Sequence, residues 1–151
     1  MYYNDFGTWI RKQFPDFRVQ KISIDAGFSC PNRDGRISSG GCTYCDNRTF
    51  NPSYCDRKKS ITEQLEEGKA FFSRKYPDMK YLAYFQAYTN TYGSVNVLER
   101  TFFQAIEDPE VKVLSIATRP DCLPPEILNL LERLNRIKPV WIELGLQTIH
   151  T

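Results

Sequence analysis

An α/β domain built on a parallel sheet of about four strands is the fold this sequence predicts. Short apolar runs alternate with segments of helical periodicity, and the runs carry no alternation, which suits strands covered on both faces. A chain of 151 residues, with 25% charged and 14% aromatic residues, is long enough for one domain with a real core.

The first segment, Tyr3 to Phe14, places Phe6, Ile10 and Phe14 at four-residue spacing and reads as a short amphipathic helix stopped by Pro15. Arg18 to Ile24 follows as a β-rich strand through Val19, Ile22 and Ile24. Residues 25–59 then form a loop far longer than the usual connection, a length that points to function or disorder. Ser60-Ile61-Thr62-Glu63 is a capping box, and Ile61, Leu65, Gly68, Phe72 and Tyr76 continue at helical spacing until Pro77. Tyr81 to Phe85, Val111 to Ala117 and Val140 to Leu146 are the remaining strands. Between them lie two helices, one with Leu98, Phe102 and Ala105/Ile106 after a cap at Ser94, the other with Ile127, Leu131 and Leu134 after Pro124-Pro125. Strand–helix alternation of this kind calls for right-handed crossovers. The cysteine loop, Gln86 to Tyr92, Thr118 to Asp121 and Gln147 to Thr151 then converge at the carboxyl ends of the strands, where ligands gather in such sheets.

Lys and Arg total 20 against 18 Asp and Glu, too even a balance to indicate a nucleic-acid or membrane partner. The run Arg57-Lys58-Lys59 reads as a solvated loop edge. No apolar stretch approaches the roughly 18–20 residues that span a bilayer, and the first residues lack the order of a signal peptide. Five cysteines, an odd number, suit a reducing compartment and metal or catalytic roles, so a cytoplasmic location is expected. A single histidine, His150, excludes serine-triad and histidine-rich zinc chemistry, and no glycine-rich phosphate-binding motif occurs.

Cys30, Cys42 and Cys45 share the loop after the first strand, with Gly35, Gly40 and Gly41 supplying the backbone freedom to fold it tightly. Two readings follow. Three thiolates on a four-iron cluster leave one iron open to a small molecule. Alternatively, Cys55 joins them in a closed four-cysteine structural zinc site, making the chain a non-catalytic binding module. Cys122 reads as a small half-buried residue at a strand-to-helix turn, and Tyr81, Tyr84, Phe85, Tyr88 and Tyr92 as packing residues rather than a base-stacking platform. Glu143, inside an apolar strand, needs a ligand or a salt bridge, for which Arg119 is the candidate partner.

The segments Lys21 to Gly35, Gly40-Gly41-Cys42-Thr43-Tyr44-Cys45, Tyr84 to Tyr92, Ser115 to Asp121 and Trp141 to Thr148 resemble the radical S-adenosylmethionine (SAM) superfamily. The nearer likeness is to a bacterial branch related to the Elongator catalytic subunit and oxygen-independent coproporphyrinogen oxidase. The resemblance implies an enzyme with a [4Fe–4S] cluster on Cys30, Cys42 and Cys45, SAM on the fourth iron, and a 5′-deoxyadenosyl radical that abstracts hydrogen from a substrate. It places Tyr44 near the adenine. The family's Gly-Gly-Glu after the second strand is absent, which leaves the SAM amino group to the edge at Gln86 or to another loop. Glu143 is implied as a ribose or amino contact, Gln147 as a contact or turn cap, and Arg119 as partner of the SAM carboxylate or of a structural ion pair. An external electron donor and a nucleic-acid substrate such as tRNA follow from the same likeness. Residues 1–151 then correspond to the N-terminal portion, the front of a partial TIM barrel, and the exposed edge of the last strand is expected to be covered by more barrel or by an oligomer.

Overall fold

The computed structural model describes residues 3–46, 49, 51–73 and 78–146. Within them the elements run α1 (Phe6–Gln13), β1 (Arg18–Ile24), α2 (Ile61–Ser73), β2 (Met79–Phe85), α3 (Val95–Ile106), β3 (Val111–Thr118), α4 (Pro125–Asn135) and β4 (Val140–Leu144). Helix α1 begins later than its apolar spacing suggests because Asp5 caps it, accepting from the Thr8 N–H at 2.7 Å and the Thr8 hydroxyl at 2.8 Å. The capping box of α2 forms in full: the Glu63 N–H donates to Ser60 Oγ at 3.1 Å and the Ser60 N–H to Glu63 Oε2 at 2.7 Å. Tyr76 and Pro77, expected to close that helix, lie outside the described residues. Ser94 stands at the N-cap of α3 without a side-chain bond; its carbonyl accepts from the Val97 and Leu98 N–H groups instead.

The four strands pair in parallel in the order β1-β2-β3-β4, so the chain never reverses its direction across the sheet. One face carries the main core. Ile22, Ile24, Ala83, Phe85, Leu114 and Ile116 pack there against Leu65 of α2, Leu98 and Phe102 of α3, and Ile127, Leu130 and Leu134 of α4. At Gly68 helix α2 comes so close to β1 that a Cβ would meet Ile22 Cγ2 at 2.6 Å. The opposite face has a smaller cluster, in which Leu82, Tyr84 and Val113 pack with Ile10 of α1, flanked by Trp9 and Trp141. Val111 and Val113 fall on opposite faces, although residues two apart in a strand normally share one. The register slips between Tyr81 and Leu82, where Lys112 is the extra residue.

Strands β2 and β3 are buried almost throughout, as continuous apolar runs require, whereas β4 is not. Ile142 is 36% exposed, Leu144 48% and Leu146 71%, because only β3 pairs with β4 and no described helix lies beyond it. An apolar run records what a strand can bury and not how many neighbours it has.

The loop of residues 25–59 is held at both ends by one side chain. Gln64, fully enclosed, accepts from the Asp25 N–H at 2.9 Å and donates to the carbonyls of Asp25 at 2.9 Å and Lys59 at 3.2 Å. Its far end is anchored by Tyr54 and Cys55, both buried in the main core. Gln64→Leu leaves three backbone groups without their partner. It should lower stability by about 2–3 kcal/mol in urea titrations, well beyond the loss of a surface hydrogen bond.

Candidate functional site

The carboxyl ends of all four strands contribute to one cavity of about 510 Å³. Cys30, Asn32, Arg33, Gly41, Cys42, Tyr44 and Cys45 enter it from the loop after β1, and Tyr88 and Thr89 from the loop after β2. Ala117 to Asp121 enter from the last residues of β3 and the turn that follows, and Glu143 to Gly145 from the end of β4.

These loops are fastened to one another by backbone bonds. Asn90, fully buried, donates from Nδ2 to the Phe85 and Ala117 carbonyls, each at 3.0 Å, and its N–H also reaches Ala117 O at 3.1 Å. The Thr89 N–H bonds Ser29 O at 3.2 Å, and the Gly145 N–H bonds Thr118 O at 3.1 Å. Thr91 donates from its hydroxyl to the Cys122 carbonyl. Within the cysteine loop, N–H groups of Arg33, Ile37, Gly41 and Cys45 close turns onto Cys30, Pro31, Asn32 and Cys42 respectively. Gly35, Gly40 and Gly41 all take positive φ, and at Gly41 a Cβ would meet Arg33 Nη1 at 2.6 Å.

The three thiols differ in surroundings. Asn32 Nδ2 donates to Cys42 Sγ at 3.1 Å, and that bond, helped by the Tyr44 hydroxyl and by Arg119 and Arg33, holds the Cys42 thiol below the usual range. Burial pushes Cys45 up. The Arg119 Nη1 lies 3.9 Å from Cys30 Sγ. Cys55 lines no part of the cavity; it is buried in the core, and burial pushes its thiol up to about 12. Among the described residues no three His, Cys, Asp or Glu side chains are gathered tightly enough to hold a single metal ion. The donor set nevertheless fits a larger thiolate-held cluster. Cys30, Cys42 and Cys45 line one cavity beside Arg33 and Arg119, whose positive charges suit thiolate ligands.

The other expected site residues divide. Tyr44 lines the cavity but is 67% exposed. Arg119 lines it too, yet its Nε and Nη2 engage Asp121 Oδ1 and Oδ2 at 2.8 and 2.7 Å, so its ion pair is with Asp121 and not with Glu143. Glu143 instead accepts from the Tyr84 hydroxyl at 2.7 Å and the Ser115 hydroxyl at 3.0 Å, one bond to each carboxylate oxygen, which leaves each a second lone pair. Burial and this bond raise the Tyr84 phenol above its ordinary range. Gln86 does not reach the cavity: its N–H still bonds Ile24 O at 3.3 Å, extending the β1–β2 pairing, and the chain turns inward only at Tyr88. Gln147, with His150, lies outside the described residues. Asn32, Arg33 and Asn90 are participants that spacing did not single out, and Tyr88, read from the sequence as a packing residue, lines the cavity instead. The nearest signal was the position of Asn32 and Arg33 directly behind Cys30.

No helix among the described residues is long and apolar enough to cross a membrane. No family model matches the chain, and no solved structure matches it. Curated relatives do. The chain is 40% identical over 148 residues to uncharacterized protein YtqA of Bacillus subtilis, covering 98% of this chain and 46% of that one. It is 42% identical over 148 residues to protein YhcC of Escherichia coli K12, covering 97% and 46%. To uncharacterized protein MJ0486 of Methanocaldococcus jannaschii it is 34% identical over 148 residues, covering 96% and 44%. The chain thus spans about half the length of the curated relatives it matches.

Iodoacetamide treatment of the folded, metal-free protein at neutral to mildly alkaline pH should label Cys42 first and spare buried Cys55 and Cys122, read by peptide mass spectrometry. Asn32→Ala should remove the lead of Cys42. A separate outcome concerns pH. The folded state raises Cys55 from an ordinary value near 9.0 to about 12, so its stabilising contribution is complete below pH 9 and lost as pH climbs through that window. Urea titrations from pH 8 upward should therefore show a shallower decline for Cys55→Ala than for the unsubstituted protein.

Proposed function

We propose that the chain is the N-terminal portion of a radical SAM enzyme of the cytoplasm, with Cys30, Cys42 and Cys45 as ligands of a [4Fe–4S] cluster and the adjoining cavity as the SAM site. The observation that carries this reading is the separation of the cysteines: three open onto one cavity at the carboxyl ends of the strands, while Cys55 is packed into the core. That separation speaks against a closed four-cysteine zinc site. The sequential parallel sheet, with its helix layer on one face, is compatible with the front of a partial barrel, and relatives about twice as long leave room for the rest.

When bound, the cluster and SAM would supply reductive cleavage of a carbon–sulfur bond and radical hydrogen abstraction, chemistry that belongs to the cofactors. The tasks of the chain are narrower. Asn32 donates to the Cys42 sulfur and so favours its thiolate. Arg119, fixed by Asp121, holds a positive charge beside Cys30. Glu143 is held rigid by two hydroxyls and offers a fixed acceptor for the donor groups of a ligand. The substrate, a nucleic acid such as tRNA on the likeness to Elongator relatives, and an external electron donor belong to the same proposal.

Anaerobic reconstitution followed by EPR with and without SAM, and iron and zinc analysis of the same sample, tests it. A reduced four-iron signal that shifts on adding SAM is expected. Single Ala substitutions of Cys30, Cys42 or Cys45 should abolish it, while Cys55→Ala retains it. Zinc uptake without iron, impaired equally by all four substitutions, would replace this reading with the structural-zinc module.

A further inference from the structure

Two guanidiniums border the cavity, and of the two only Arg119 is ion-paired with a carboxylate among the described residues. Arg119 is engaged by both oxygens of Asp121. Among the described residues no carboxylate stands within ion-pair distance of Arg33, whose guanidinium carbon instead lies 4.8 Å above the centre of the Tyr88 ring. A stacked arginine keeps its in-plane N–H donors free, and its planar fork matches a carboxylate or phosphate. Its neighbours confine it further. The Arg33 side chain runs across Gly41 so closely that a Cβ there would meet Nη1, so the absence of a side chain at position 41 leaves its path open.

The platform beneath it is unusual. Tyr88 has φ of 61°, and no other non-glycine residue among those described takes a positive φ. A bulky aromatic residue in the left-handed region is strained, and it persists where the surroundings impose it. Here the next two residues do so: the Thr89 N–H is tied to Ser29 O, and Asn90 is bonded to β2 and β3. The strained turn delivers the Tyr88 ring to the cavity wall under Arg33.

We propose that Arg33, laid on the Tyr88 ring, is the anion-binding residue of this cavity and recognises a carboxylate or phosphate group of its ligand. Only the carboxylate arm rests on the SAM reading above; the anion site itself does not.

Calorimetric titration of the full chain, anaerobically reconstituted, tests the proposal in unsubstituted, Arg33→Gln, Arg33→Lys and Arg119→Gln forms. The probes are SAM, its carboxyl methyl ester and inorganic pyrophosphate. Arg33→Gln should weaken SAM by about 10-fold or more and the ester by no more than about 2-fold, with binding counted per reconstituted cluster. Arg33→Lys, which keeps the charge, should recover part of the loss and separates recognition from a folding defect. Arg119→Gln should leave the preference for acid over ester intact. Unsubstituted protein that ignores SAM but binds pyrophosphate in an Arg33-dependent way sinks the SAM reading and supports the anion site. The proposal is overturned if Arg33→Gln binds acid as tightly as before, if it loses acid and ester equally, or if the unsubstituted protein binds neither SAM nor pyrophosphate.

Discussion

Parallel pairing in strict chain order is the constraint on which the rest of this molecule depends. With strands β1 to β4 side by side and all pointing one way, every strand-to-helix connection emerges at the same edge. The packing of α2, α3 and α4 against one face leaves the other to α1 and to the polar trio Tyr84, Ser115 and Glu143. Chemistry assembled from several loops has one place to form. A long excursion after β1 is tolerable in this design because closing a longer loop costs only slowly growing entropy, provided its ends are held. Gln64 bonds the backbone at both ends of that excursion, while Tyr54 and Cys55 root it in the core.

The electrostatics of the edge are similarly set by fixed partners rather than by net charge. Near-neutral composition hides a local pattern in which Arg33 and Arg119 stand beside thiols and Glu143 stands across from them on the same cavity. Each arginine is held by a different device. Asp121 grips one through two hydrogen bonds, and an aromatic ring supports the other without neutralising it. The second arrangement leaves the in-plane N–H donors of Arg33 without a carboxylate partner among the described residues.

Periodicity revealed much of this fold because β2, β3, α2, α3 and α4 each meet one kind of environment along their length. The capping box was equally plain, since both partners lie within four residues. Legibility failed where the outcome depends on distant choices. Nothing in Val140 to Leu144 shows that β4 pairs on one side only among the described residues, and nothing in Val111-Lys112-Val113 shows the slip that turns its valines to opposite faces. Glu143 was recognisable as a carboxylate within an apolar strand, in need of partners. Its choice of Tyr84 and Ser115 over Arg119 reflects competition from Asp121, two residues from Arg119 and better placed. At the site, the cysteines announced themselves by spacing; Asn32, Tyr88 and Asn90 act through backbone geometry that spacing does not encode.

The second face of the sheet shows why the cavity opens where it does. Trp141 and Glu143 sit on the same side of β4, two residues apart, yet they meet opposite surroundings. Trp141 packs on Trp9 with ring centres 5.0 Å apart, and Phe6 and Phe14 of the α1 region add further ring contacts, so the earlier part of this face is closed by aromatic packing. Glu143, one step nearer the carboxyl end, turns to hydroxyls and to the cavity. The face therefore passes from apolar to polar along the strand direction. A polar ligand gains nothing from the aromatic end, whereas fixed donors, acceptors and thiols line the cavity at the carboxyl edge.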